Sequence, residues 1–126
     1  MMGRVAEAAL AQNGEVIGII PTALKVKEVE HTGLSELIET PDMHTRKAKM
    51  EELSHAFVIL PGGFGTLDEF FEILTWRQLG FHNKPIIVVD IDGYFSGLEQ
   101  YIQRAVDEDY VRESNLRLFE WVSTVE

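Results

Sequence analysis

The chain has 126 residues, 45% of them hydrophobic, which suits one globular domain with a real core and excludes a disordered or fibrous segment. A formal charge of −10 repels nucleic-acid backbone over most of the surface, and the one basic triplet, Arg46, Lys47 and Lys49, suits a small anion better than a duplex. With no cysteine there is no disulfide framework, zinc would have only His or carboxylate ligands, and a reducing cytoplasmic address fits.

The first fifteen residues carry Arg4 and Glu7 inside their apolar pattern, so they lack the continuous core of a signal peptide, and no run approaches membrane-spanning length. Met2, Val5, Ala9 and Gln12 recur at near-helical spacing ahead of Asn13-Gly14, which predicts a helix over 2–12 with a glycine stop. The run 16–20, VIGII, is short, nearly all apolar and closed by Pro21, the pattern of a strand buried on both faces. Polar and charged residues from Thr22 to Glu36 read as a surface connection. Leu37 to Thr40 is a weaker strand candidate. Next comes a helix over Met43 to Leu53 with Asp42 as N-cap. Strands like the first are expected at Ala56 to Leu60 and Pro85 to Val89, with helices at Leu67 to Leu79 and Phe95 to Val106. The second helix has Leu98, Ile102 and Ala105 on one face. Leu118 to Val122 is a last, weak strand. Strands alternating with helices of about a dozen residues imply βα units, hence a single domain over residues 1–126 of three-layer, Rossmann-like α/β class, with a parallel sheet flanked by helices.

Between the strand ending at Leu60 and the next helix lies PGGFGT, Pro61 to Thr66. In parallel α/β sheets this turn borders the crevice at the carboxyl ends of the strands, where ligands bind. Gly62, Gly63 and Gly65 allow close backbone approach, and the helix N-terminus behind them favours an anion, phosphate above all. The loop is neither a P-loop, because no Gly-Lys-Ser/Thr follows, nor a dinucleotide fingerprint, because the glycine spacing differs. A tight βα turn with no ligand is the alternative. Thr66 and Glu69 also fit a capping box, Thr66 at the N-cap and Glu69 three residues on.

Met43, Arg46, Met50 and Leu53 recur at 3, 4 and 3 residues, so Arg46 sits in an apolar stripe. Its guanidinium there either snorkels past its neighbours or meets an anion. Lys47 faces Glu51 across one helical turn. His31, His44, His55 and His82 are scattered, without metal-ligand spacing, and no Ser-His-Asp or Cys-His arrangement is visible. Phe70, Phe71, Leu74 and Trp76 make an amphipathic face for the core or for a helix-mediated dimer.

MHTRKAKM (43–50) and PGGFGTLDE (61–69), in this order and at this separation, resemble the LOG family of cytokinin riboside 5′-monophosphate phosphoribohydrolases, whose signature is an Arg-Lys dipeptide followed by PGGxGTxxE. The likeness continues through GEVIGIIP, TWRQLGFHNKP and DGYF. It implies hydrolysis of the N-glycosidic bond of a cytokinin riboside 5′-monophosphate, or of AMP, to the base and ribose 5-phosphate. It implies Arg46 and Glu69 as the catalytic pair, and Gly62, Gly63, Gly65, Thr66, Arg46 and Lys47 around the substrate phosphate. No cofactor or metal is implied, and the partner is a second copy of the chain. Many members carry a lysine decarboxylase label, but no Schiff-base lysine site for pyridoxal phosphate is recognisable here. The family pattern begins with a further strand, helix, strand and glycine-rich loop that this sequence does not show. A truncated, inactive fragment that folds or dimerises is therefore the rival expectation. Asp90 and Asp109 fall where relatives more often carry Asn and Gly.

Overall fold

The computed structural model describes residues 2–25 and 33–125. The chain divides into two compact units, Met1–Ser54 and His55–Glu126. The parallel α/β class expected from the sequence holds, but the strands pair in two small sheets, one of two strands and one of three.

In the first unit, helix α1 (Met2–Ala11) ends where Asn13 turns left-handed at φ 60°. The amide of Asn13 donates to Leu10 O at 3.0 Å and that of Gly14 to Ala9 O at 2.8 Å, the paired closure of a Schellman motif. The stop expected at Gly14 is thus made by Asn13, whose short polar side chain tolerates that conformation. Strand β1 (Ile17–Pro21) pairs in parallel with β2 (Glu36–Thr40), from Ile17 opposite Glu36 to Pro21 opposite Thr40. Burial of β1 on both faces is not found. Ile17 is 46% exposed and only Ile20 and Pro21 are buried, because β1 is an outer strand of a two-stranded sheet. Thr22–Leu24 forms a 3-10 turn, and the rest of the expected surface connection, 26–32, lies outside the described residues, as does His31.

Helix α2 (Met43–Leu53) packs against β1 and β2. Asp42 caps it as expected, its Oδ1 accepting from the Thr45 amide at 2.7 Å, and this bond holds the Asp42 carboxyl below the ordinary carboxylate value. The anticipated apolar stripe is shallow. Arg46 and Met50 are half-buried, whereas Met43 and Leu53 stand at 40% and 39% exposure.

The second unit runs β3 (Phe57–Ile59), α3 (Phe64–Gln78), β4 (Ile86–Val89), α4 (Ser96–Asp107) and β5 (Glu120–Val122). The three strands are parallel in the order β3-β4-β5. Central β4 is the β-branched run IIVV, and Ile86, Val88 and Val89 are at most 2% exposed, the pattern of a strand covered on both faces. The outer strand β3 leaves Val58 58% exposed. Phe70 and Ile73 of α3 and Ile102 of α4 fill the core together with Phe95 and Phe119, and Leu67, Leu74, Leu98 and Trp121 pack around them. Phe70 meets Phe119 edge-on at 5.6 Å, and Phe119 meets Trp121 at 5.5 Å, the preferred geometry for aromatic pairs.

Candidate functional site

Parallel pairing sets Phe57 beside Ile86 and Ile59 beside Val88, so the carboxyl ends of β3 and β4 are neighbours. Leu60 to Gly63 leaves one end and Asp90 to Phe95 leaves the other. This is where a parallel α/β sheet presents a ligand crevice.

The capping box expected at Thr66 and Glu69 is overturned. Helix α3 starts at Phe64, three residues earlier than the periodicity suggests, with Gly63 as N-cap in extended backbone at φ −97° and ψ −150° and no side-chain cap. The Leu67 amide donates to Gly63 O at 3.2 Å, which closes the first turn and draws Phe64 and Gly65 into the helix despite glycine's poor propensity. Thr66 becomes the third helical residue and Glu69 the sixth, out of capping reach. Three residues apart, Thr66 and Glu69 lie on one helix face, both half-buried.

The glycines differ in what they do. A Cβ on Gly62 would overlap Thr66 Oγ1 and stand 2.9 Å from Thr66 Cβ, so this residue is small because Thr66 leans on it. A Cβ on Gly63 or Gly65 would meet nothing within 4 Å. Those two positions face open space at the start of a helix whose first-turn amides have no intrahelical acceptor. A small anion fits there by charge and by donor direction.

Arg46 and Lys47 lie side by side on α2 in the first unit. Arg46 Nε donates to the carbonyl of Ile19 in β1 at 2.9 Å, which fixes the direction of its planar guanidinium. The end of β1 is held in turn by Thr40, the one buried polar residue among those described. Its hydroxyl lies 3.4 Å from Ile20 O and 3.2 Å from Asp42 O. Gly62, Gly63, Gly65, Thr66 and Glu69 are brought together on one loop and helix start in the second unit.

The described histidines make no metal centre, and no group of three or more His, Asp or Glu side chains among the described residues could hold an ion. His82 is a structural ring. Its Nδ1 accepts from the Lys84 amide at 3.1 Å, so Nε2 carries the proton toward Ile73 O at 2.8 Å.

Tyr94 was missed by the sequence reading as a member of this site. Its hydroxyl donates to the Gly62 carbonyl at 2.8 Å. The available signal was the Asp92-Gly93 pair after an apolar run, a turn that re-aims the next residue.

A parallel βαβ crevice with a glycine loop running into a helix N-terminus is a nucleotide-site arrangement of Rossmann-like α/β proteins. Residues 2–126 match the model of a family described as possible lysine decarboxylase. The chain belongs to this family, the LOG family of the motif resemblance. A cytokinin riboside 5′-monophosphate phosphoribohydrolase of Arabidopsis thaliana is 42% identical over 119 residues, 94% of this chain and 52% of that protein. A probable one of Oryza sativa subsp. japonica is 45% identical with the same coverage. One of Rhodococcoides fascians is 47% identical over 112 residues, 88% of this chain and 57% of that protein. The chain thus spans about half the length of the curated relatives it matches.

Proposed function

We propose that the protein hydrolyses the N-glycosidic bond of a nucleoside 5′-monophosphate, a cytokinin riboside 5′-monophosphate or AMP, to the base and ribose 5-phosphate. The observation that carries this reading is the placement of Glu69 on the same face of α3 as Thr66, one turn beyond the uncapped glycine N-terminus. The names of the relatives supply the substrate class.

The phosphate docks on the amides of Gly63 to Thr66, which fixes the ribose one step further along the helix. As the C1′–N bond lengthens, positive charge grows on the ribose, and the Glu69 carboxylate stabilises it or orients the attacking water. Water gives its hydroxyl to C1′ and its proton balances the base nitrogen that departs with the bonding pair. Arg46, aimed by its bond to Ile19 O, holds the anionic part of the substrate or polarises the leaving base, and Lys47 adds positive charge beside it. No cofactor takes part.

The protein acts as a homodimer. Leu79 at 62% and Phe81 at 74% exposure offer apolar surface at the end of α3. A net charge of −10 and the lack of cysteine support a cytoplasmic enzyme that does not bind nucleic acid. No described helix is long and apolar enough to cross a membrane.

The test is release of base and ribose 5-phosphate from AMP and from isopentenyladenosine monophosphate. Glu69→Gln, which keeps the shape and removes the charge, is expected to cut the rate by about 10²- to 10⁴-fold. A Glu69→Gln protein as active as the parent would sink the assignment of Glu69. A folded parent that releases nothing would sink the activity for this chain.

A further inference from the structure

We infer that Tyr94 is a positioning residue for the phosphate cradle, acting through the backbone of the glycine loop. The inference rests on the phosphate-binding reading of that loop given above.

The Tyr94 hydroxyl donates to Gly62 O at 2.8 Å across 32 residues of sequence. The Gly62-Gly63 peptide is planar and trans, as no cis bond occurs among the described residues, so its N–H points opposite to its C=O. Holding the Gly62 carbonyl on Tyr94 therefore turns the Gly63 amide to the other side, as the leading donor at the N-terminus of α3. Donation to a carbonyl also polarises the peptide and strengthens its N–H as a donor. The Thr66 side chain also touches this loop, lying against the position that a Cβ on Gly62 would take. The Tyr94 bond bears on the direction of the Gly62-Gly63 peptide, because it holds the carbonyl end.

The segment that delivers the hydroxyl is fixed at three points. Asp90 donates its amide to Val122 O at 2.8 Å and accepts the Phe95 amide on Oδ1 at 2.7 Å. Asp92 and Gly93 are both left-handed, at φ 54° and 71°, which reverses the chain within the turn. Phe95 is 3% exposed in the core, with the Tyr94 ring edge-on to it at 5.1 Å. Tyr94 itself is 57% exposed, so burial does not account for its hydroxyl meeting a partner in the loop. The geometry that does is the adjacency of the carboxyl ends of β3 and β4.

The experiment compares the parent with Tyr94→Phe and Tyr94→Ala by titration with ribose 5-phosphate and with adenine, and by amide hydrogen exchange of the ligand-free chains. Loss of the hydroxyl is expected to weaken ribose 5-phosphate about 3- to 10-fold in both variants. Adenine affinity and the thermal midpoint of Tyr94→Phe stay as in the parent, and the Gly63 amide exchanges faster. Equal losses for both ligands would mean general loosening and overturn the role. So would a Tyr94→Phe protein with parental affinity for ribose 5-phosphate beside a weakened Tyr94→Ala, because the ring and not the hydroxyl would then matter. A parent that fails to bind ribose 5-phosphate overturns the phosphate reading and the role of Tyr94 with it. In that case faster Gly63 exchange in Tyr94→Phe still reports the hydroxyl's grip on the loop, which separates the two failures.

Discussion

The two units hold their proposed functional residues by different means. In His55–Glu126, nine of the ten buried hydrophobic side chains described are found, and Glu69 precedes Phe70, which is 0% exposed. In Met1–Ser54, Ile20 is the one buried hydrophobic described, and α1 and α2 have no buried residue. Arg46 is held there by a hydrogen bond to a strand carbonyl and by a helix whose start depends on Asp42. Apolar burial is non-directional and proportional to area, whereas a hydrogen bond fixes a direction but adds little net stability. The second unit therefore positions its carboxylate by packing, and the first aims its guanidinium by individual polar contacts.

The sharpest way to break that contrast is to remove apolar volume from each side. Phe70→Ala should cost about 3–5 kcal/mol, the range for emptying a buried aromatic site, and should lower base release as well, since Glu69 rides on the same turn. Met43→Ala on α2, at 40% exposure, should stay within about 0.5 kcal/mol. Urea unfolding of the two variants measures both. Equal losses would show that the first unit depends on packing as much as the second.

What the sequence revealed follows the same division between local and distant causes. Helix α2 was readable to the residue, Met43 to Leu53, because Asp42 announces its start within one turn. The central strand β4 was readable from a β-branched run buried on both sides. The start of α3 was not, because Phe64-Gly65 after two glycines has the composition of a loop and enters the helix through one backbone bond, Leu67 to Gly63. That error of three residues made Glu69 look like a capping residue. The division into two sheets was also hidden, since periodicity identifies a strand and says nothing of its neighbour. Tyr94 was visible only as part of a motif, because its contact with Gly62 follows from the register of β3 against β4.

A smaller effect sharpens the account of the first unit. Asp42→Ala should lower the urea midpoint at neutral pH, since α2 loses the acceptor for the Thr45 amide. The carboxyl is held below its ordinary value of 3.8, chiefly by that backbone bond. A depressed carboxylate contributes stability above its unfolded value and loses it as the pH falls through the folded one. The gap between parent and Asp42→Ala should therefore persist above 3.8 and narrow below it. Asp42→Asn, which keeps a capping oxygen without a titrating charge, should lack this narrowing against pH. A gap between parent and Asp42→Ala that is constant from neutral pH to well below that value would show that the cap acts without its charge.

The smallest expected effects compare one device across both units. Helices α1, α3 and α4 all end in the same closure, with Asn13, Gly80 and Asp109 left-handed at φ 60°, 83° and 62°. In each case the next residue returns its amide to the last turn: Gly14 to Ala9 O, Phe81 to Trp76 O and Tyr110 to Ala105 O, at 2.8 to 2.9 Å. The hydrogen bonds match, so the difference lies in what the left-handed residue costs. A Cβ on Gly80 would meet nothing within 4 Å, and Gly80→Ala then reads the backbone term alone, a loss of about 1 kcal/mol. Asp109 already bears that strain, softened because Asp tolerates the region better than most residues. Asp109→Gly removes the strain but gives the unfolded chain more freedom, so its gain should be smaller, about 0.5 kcal/mol. Opposite signs in thermal unfolding would show that helix ends in this chain are set by backbone conformation. An Asp109→Gly protein less stable than the parent would mean that the Asp109 side chain contributes more than its strain costs.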